Sequence, residues 1–192
     1  MESVDTPISL GEIASRAATD SVAREDLLRR VRDLAVRYAR VRLGRFGSED
    51  LAQDVAQEVC MAVLTALPTY EERGLPFEAF VYRITSRKLA DVQRAAMRGP
   101  APVAEVPDRV DDAPTPEATA IIRDEAATAL SLMERLPATQ REILILRVAV
   151  GLSTDETATA LRMTTGAVRV AQHRALGRLR TLLAEHQAGD VA

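Results

Sequence analysis

The sequence predicts an all-α protein of two small helical domains joined by a flexible, acidic, proline-rich linker. Three observations carry that expectation. Apolar residues recur at spacings of three and four in successive stretches, as helices with one buried face require. No period-two alternation of any length appears, so strands are not expected. From Gly99 to Pro116 the pattern stops: Pro100, Pro102, Pro107, Pro114 and Pro116 interrupt it, with Glu105, Asp108, Asp111 and Asp112 among them. Such a stretch cannot hold a helix and has little to bury. All the aromatic residues, Tyr38, Phe46, Tyr70, Phe77, Phe80 and Tyr82, precede this break. The second half must therefore build its core from aliphatic side chains, and two independently built cores are expected.

Each element has its own signal. Residues 24–43 place Leu27, Leu28, Val31, Leu34, Ala35, Tyr38 and Val41 at helical spacing. Ser48 stands as an N-cap, with acids in the turn after it. The helix that follows, 49–67, gathers Leu51, Val55, Val59, Ala62, Val63 and Leu67 on one face. Asp50, Asp54, Gln57 and Glu58 fall on another face, and Pro68 ends the helix. Thr69 to Pro76 reads as a polar loop shaped by Gly74 and Pro76. A third helix runs from Phe77 to Arg98 and grows more basic along its length.

Helical pattern resumes over 117–135 and again over 138–149, where Gly151 marks the end. Ser153 and Glu156 form a capping box for a short helix closed by Leu161, and Thr164 caps a longer one. The expected organisation is an extension at 1–21, a first domain at 22–98, a linker at 99–117, a second domain at 118–186 and a tail at 187–192.

Composition excludes several classes. There is no apolar run of about 18 residues, so no membrane span is expected. Met1 to Ser21 is mixed polar and lacks the form of a secretory signal. The single cysteine, Cys60, excludes an intramolecular disulfide and a Cys-cluster zinc site. His173 and His186 have no metal-ligand spacing, and no nucleophile motif, phosphate loop or credible carboxylate pair is present. A non-catalytic cytoplasmic protein without cofactor or metal is the expectation.

The net charge of −3 conceals an uneven distribution. Residues 83–98 hold Arg83, Arg87, Lys88, Arg94 and Arg98 against the single acid Asp91. Residues 157–184 hold Arg162, Arg169, Arg174, Arg178 and Arg180 against none. Acid collects at Glu49, Asp50, Asp54 and Glu58 and again in the linker. Patches of this kind, rather than the bulk charge, steer partners.

The order long apolar helix, Gly break, short helix, tight turn and Arg-rich helix describes a helix-turn-helix with a supporting helix before it. Ala158, Leu161, Val168 and Leu176 face inward in this reading, and Ala158 is small enough for two helices to cross closely. Arg169, Val170, His173 and Arg174 form an outward strip near the N-terminal half of the last helix, the part that enters a major groove. Arg178 and Arg180 are better placed for phosphate. Spacing alone also fits a helical hairpin with a solvated basic face.

In the first domain, Tyr70, Arg73, Phe77, Arg83, Arg87, Lys88 and Arg94 combine rings with cations, as unpaired bases and their phosphates require. Burial of Phe80 and its neighbours in the core is the competing use of those rings. The face Asp50, Asp54, Gln57 and Glu58 suits a basic protein partner or simply water.

Taken together, the motifs resemble those of an extracytoplasmic-function sigma factor over about residues 22–184. The strings are D-x-x-Q-E at Asp54, Gln57 and Glu58, then A-L-P at 66–68, then F-x-x-[FW]-x-Y-R-I from Phe77 to Ile84 with Asp91 and Arg94 beyond. The second half adds L-P-x-x-Q-R-E-x-L-x-L-R at 136–147, G-L-S at 151–153 and G-x-V-R at 166–169. The stretches QEVCMAVLTALPTY and SRKLADVQRAA are most similar to the actinobacterial sigma-D-like branch, and Lys88 as the one lysine beside 24 arginines fits a GC-rich genome.

The resemblance implies a dissociable RNA polymerase subunit that directs promoter-specific initiation; a stand-alone helix-turn-helix regulator is the competing reading. It implies that the acidic face grips the clamp helices of the largest polymerase subunit, with a further contact to the flap region. Residues 69–94 would melt the −10 element and hold a single strand, the linker would thread the active-site cleft, and the last helix would read the duplex −35 element. An anti-sigma factor is the regulatory partner it implies. Four positions depart from the pattern: Arg162 stands where Gly is usual in the turn, Val170 and Ala171 replace Ser and Arg, and Arg87 replaces Asn.

Overall fold

The computed structural model describes residues 9–44, 49–70, 75–98 and 116–189, and every regular element among them is helical. The first, α1 (Leu10–Ala17), lies inside the stretch expected to be an extension, 1–21. Its start is written in the sequence as Ser9 and Glu12: the Glu12 amide donates to Ser9 Oγ at 3.2 Å, and the Ser9 amide donates to Glu12 Oε2 at 2.8 Å. Ile13, Ala14 and Ala17 are buried, and the helix packs on α2 (Ser21–Leu43). The amide of Leu10 donates to Glu78 Oε1 at 3.0 Å, so α1 is also fastened to a helix far along the chain.

Asp20 caps α2 by accepting from the amides of Val22 and Ala23. Next come α3 (Glu49–Ala66), a single 3₁₀ turn at Leu67–Thr69 around Pro68, and α4 (Phe77–Arg98). The expected bounds hold closely for these helices. Ser48, Arg73, Gly74 and the linker 99–115 lie outside the described residues.

In the second half, α5 (Pro116–Glu134) is followed by α6 (Ala138–Leu144). The helix expected over 138–149 changes character midway: Ile145–Val150 form a wider π-helical turn. Gly151 ends it with φ 88°, a backbone region that side chains disfavour. Then come α7 (Thr154–Leu161) and α8 (Thr165–Gly189), the latter running several residues past the expected end of the domain pattern.

The two domains are present, but their cores are not independent. One cluster runs from Leu10 and Ile13 through Leu27, Val31, Tyr38, Val59 and Phe77, and continues into Ile145, Leu146, Val150, Leu152 and Ala160. Among the described residues the aliphatic second half keeps two small clusters of its own, Leu136 with Leu144 and Ala175, and Ile143 with Ala158 and Val168. The physical reason is supply. A short helical domain without rings cannot cover the apolar side of its π-turn, and burial of each such side chain stabilises by about 1.5–3 kcal/mol. The aromatic first half supplies that cover.

Candidate nucleic-acid and protein interfaces

The helix-turn-helix is built by its caps and one small core. Ser153 Oγ accepts from the Glu156 amide at 3.1 Å, and Glu156 Oε2 accepts from the Ser153 amide at 2.6 Å. Ala158 and Val168 meet beneath Ile143 and fix the crossing of α7 and α8. Arg162 closes α7 in the left-handed region (φ 55°, ψ 44°), the only non-Gly residue described with positive φ. An arginine in this conformation costs about 1–2 kcal/mol that a glycine would not. Thr164 Oγ1 accepts from the Ala167 amide at 3.2 Å to start α8, and Thr165 Oγ1 donates to Asp155 Oδ1 at 3.0 Å, tying the two helices together at their beginnings.

This frame leaves Arg169, Val170, His173, Arg174 and Arg178 exposed, with Val168 and Ala175 turned inward between them. Val170 is 51% exposed and adds an apolar surface to the strip. No acid occurs on α8 before Glu185, so the strip presents a single sign of charge.

Around the 69–76 loop the rings behave differently from the stacking expectation. Phe77 is 0% exposed, with Tyr70 edge-on at 4.8 Å and Phe80 at 5.6 Å. It offers no free face to a base; the N-terminal end of α4 turns it into the shared core. Tyr70 is half-buried and its Oη donates to the Leu75 carbonyl at 3.0 Å, closing the loop ends on each other. Arg83, Arg87 and Arg94 fall on one side of α4, separated by one and then two helical turns. Arg87 is exposed, Arg83 half-buried, and Arg94 is paired with Asp91. Lys88 points elsewhere: its Nζ lies 2.8 Å from Glu58 Oε2 on α3.

On α3, Ala52, Val55, Ala56, Val59 and Val63 enter the core, while Asp50, Asp54, Gln57 and Glu58 stay exposed. Met61 and Leu64 continue the same outward side and are exposed too, which the sequence reading passed over. Their signal was there: both sit one or two turns beyond Gln57 on the polar side of the helix. Glu49 leaves the acidic patch, because Arg40 holds it through two hydrogen bonds of 2.8 and 2.5 Å. That guanidinium pulls the Glu49 carboxyl below the usual carboxylate range.

The sequence reading also missed Glu142. Tyr38 and Tyr82 of the first domain both donate to its Oε1, at 2.6 and 2.9 Å. Burial first, then the Glu142 charge, pushes both phenols up, so both remain protonated donors. Among the described residues no cluster of three metal-capable side chains occurs, and no helix is long and apolar enough to cross a membrane.

Residues 13–99 match the family model Sigma-70 region 2, and residues 127–179 match Sigma-70, region 4. The chain belongs to the extracytoplasmic-function sigma factors, RNA polymerase subunits that direct promoter-specific initiation. It is 51% identical over 185 residues to ECF RNA polymerase sigma factor ShbA of Streptomyces griseus, covering 93% of this chain and 97% of that one. It is 50% identical over 182 residues to ECF RNA polymerase sigma factor SigD of Mycobacterium tuberculosis, covering 94% and 85%. Among solved structures it is similar to CnrH, determined in complex with the cytosolic domain of CnrY, with TM-score 0.64 and 26% identity over 90% of this chain and 96% of that one. The fold also matches the sigma factor RpoE of Bartonella quintana, with TM-score 0.57 at 21% identity, over 86% and 98%.

Proposed function

We propose the following division of labour within this sigma factor. The α3 face of Asp50, Asp54, Gln57 and Glu58, extended by Met61 and Leu64, docks core RNA polymerase at the clamp helices of its largest subunit. The stripe Arg83, Arg87 and Arg94 on α4, with the loop that follows Tyr70, takes the −10 strand once it is unpaired. Arg169, Val170, His173 and Arg174 read −35 base edges, and Arg178 holds phosphate. The work is binding rather than catalysis, and it takes place in the cytoplasm, where core polymerase is found. A protein inhibitor of the anti-sigma kind is its regulatory partner; CnrH, a relative in fold and sequence, is seen held by CnrY.

One observation carries this reading. The α3 acids lie wholly outside the core, in a chain whose other domain presents an acid-free arginine strip. A face with no folding duty and one sign of charge is suited to a partner. Runoff transcription with core polymerase on a promoter library tests it. Specific initiation that requires both core and this chain supports the proposal; tight, specific duplex binding by the chain alone, with no transcription, returns the stand-alone regulator.

A further inference from the structure

The outward side of α8 is arranged around one aliphatic side chain. With Val168 and Ala175 turned into the core, the helical period puts Gly166, Val170 and Gly177 within about 40° of one another, on the side opposite Val168. Val170 stands in the middle of this line. It is one turn from Gly166 and from Arg174, with Arg169 and His173 as its other neighbours, and all of them are exposed.

The two glycines have no duty inside the chain. A Cβ at Gly166 or Gly177 would meet nothing within 4 Å among the described residues, and neither residue has a positive φ. Gly166 lies in the first turn, but Gly177 stands in the helix interior, where glycine weakens a helix. A line without side chains lets another molecule come close to the helix backbone, and it leaves Val170 as the apolar group that stands proud of it.

The neighbouring positions cannot take its place. Ala171 is half-buried against the cluster of Ile143, Ala158 and Val168. Gln172 is half-buried too, and its Oε1 accepts from Arg147 Nε at 3.3 Å. Ala167 is exposed, but it carries a single side-chain carbon and lies about 60° further round the helix.

Valine neither donates nor accepts a hydrogen bond. Of the groups a base pair shows in the major groove, the C5 methyl of thymine is the apolar one. Pressed against a polar base edge, Val170 would strip water from a donor or acceptor and put nothing in its place. The same side chain therefore attracts one base and penalises the others. Branching at Cβ holds its χ1 nearly fixed in a helix, so little freedom is lost on contact.

We propose that Val170 selects a thymine in the −35 element by packing on its C5 methyl group. The inference deepens, and rests on, the assignment of α8 to the duplex −35 element. Covering one methyl group is worth about fourfold in affinity. Exchanging that pair for C·G should cost more, about tenfold, because a polar edge is then covered as well.

The test uses holoenzyme assembled from the full chain and core polymerase. Binding-site selection defines the preferred −35 sequence, and each thymine on either strand is then replaced in turn by deoxyuridine. That exchange removes the methyl group and leaves the pairing and every donor and acceptor in place. The parent should lose about threefold to fivefold at one thymine. The Val170→Ser chain, altered at an exposed position, should keep the parental melting temperature and bind thymine and deoxyuridine there alike. Arg178→Ala should weaken binding generally and retain the deoxyuridine penalty.

A selected −35 element without thymine overturns the inference, and so does a parent indifferent to every deoxyuridine. A penalty that survives Val170→Ser, or one lost equally in Arg178→Ala, does the same. A parent holoenzyme with no −35 preference at all removes the assignment of α8 itself. Preference retained without methyl sensitivity removes only the role of Val170.

Discussion

Lys88 and Glu58 form an ion pair of 2.8 Å between α4 and α3, so the helix assigned to promoter DNA is joined to the helix assigned to polymerase through a side chain that leaves the arginine stripe. Both remain largely in water, 40% and 52% exposed, and such a pair stabilises by about 0–1 kcal/mol. The pair therefore matters for the arrangement of the two faces more than for folding. Asp54→Lys should lower core polymerase affinity at least tenfold with the melting temperature unchanged, whereas Glu58→Lys should also lower stability slightly by facing Lys88 with a like charge. Adding Lys88→Glu to Glu58→Lys should recover that stability but not the affinity. Core-binding assays beside thermal melts check all three; normal binding by Asp54→Lys would move the docking face elsewhere.

The strained turn gives a prediction of the opposite sign. Arg162 occupies a left-handed conformation with φ 55°. Arg162→Gly relieves the side-chain penalty and partly offsets it by freeing the unfolded chain, for a net gain of about 0.5–1 kcal/mol. Urea unfolding measures it. A loss of stability would mean that the arginine side chain contributes more than its backbone costs.

On α8, the roles assigned to three arginines separate by their readouts. Arg169→Ala and Arg174→Ala should each relax −35 preference at one base position by about 1–3 kcal/mol. Arg178→Ala should weaken all sequences alike and flatten the salt dependence. Binding-site selection with holoenzyme at two salt concentrations distinguishes them, and an unchanged preference in all three variants removes α8 from base readout.

Within the −10 region the burial of Phe77 changes which substitution is informative. Phe77→Ala should cost about 3–5 kcal/mol as a core deletion, and any loss of promoter melting would follow from unfolding. Arg83→Ala and Arg87→Ala should instead leave the melting temperature within a degree or two and weaken binding to a pre-melted −10 strand. A Gly/Ser replacement of residues 69–76 should alter −10 base preference while core binding stays intact. If initiation from duplex and pre-melted templates keeps its parental rate and preference, that loop only connects.

Acid titration probes the caps. The amides of Ala23 and Val22 hold the Asp20 carboxyl below its ordinary value, and Arg40 does the same for Glu49. A carboxyl depressed in the folded state adds stability that is fully present above its unfolded pKa, near pH 4, and is lost as pH falls through the folded one. Stability should therefore fall below about pH 4, and Asp20→Ala or Glu49→Gln should each flatten that limb. A parallel acid limb in both variants would show that other carboxylates dominate.

Much of the molecule was legible from residue order. Helical spacing, Pro68, Gly151 and the Ser153–Glu156 box place α2, α3, α4, α6 and α7 nearly where they are found, because local propensity and capping act over a few residues. The outward strip on α8 was legible for the same reason. The capping pair Ser9 and Glu12 carries as much information as Ser153 and Glu156, but the helix it opens is only 8 residues long, about two turns of apolar spacing. What the sequence does not hold locally is pairing across distance. Nothing around Glu142 names Tyr38, 104 residues away, and nothing in FEAF says that the first ring faces inward while the arginines downstream face out. The shared core belongs to this class, since aliphatic spacing at 143–150 says which side is buried but not against what.

The bond from the Leu10 amide to Glu78 also has a consequence for how the chain comes into being. The two residues are 68 positions apart, and a ribosome adding about 5–20 residues per second makes Glu78 about 3–14 s after Leu10. Through that interval α1 has its cap but not its final acceptor, and Ile13 and Leu10 lack the α4 surface they later cover. The helix can pack on α2 as soon as that helix has been made, but its fastening to α4 waits until the middle of the first domain has been translated. That last bond is a late event in the birth of the protein although α1 stands among the earliest residues made.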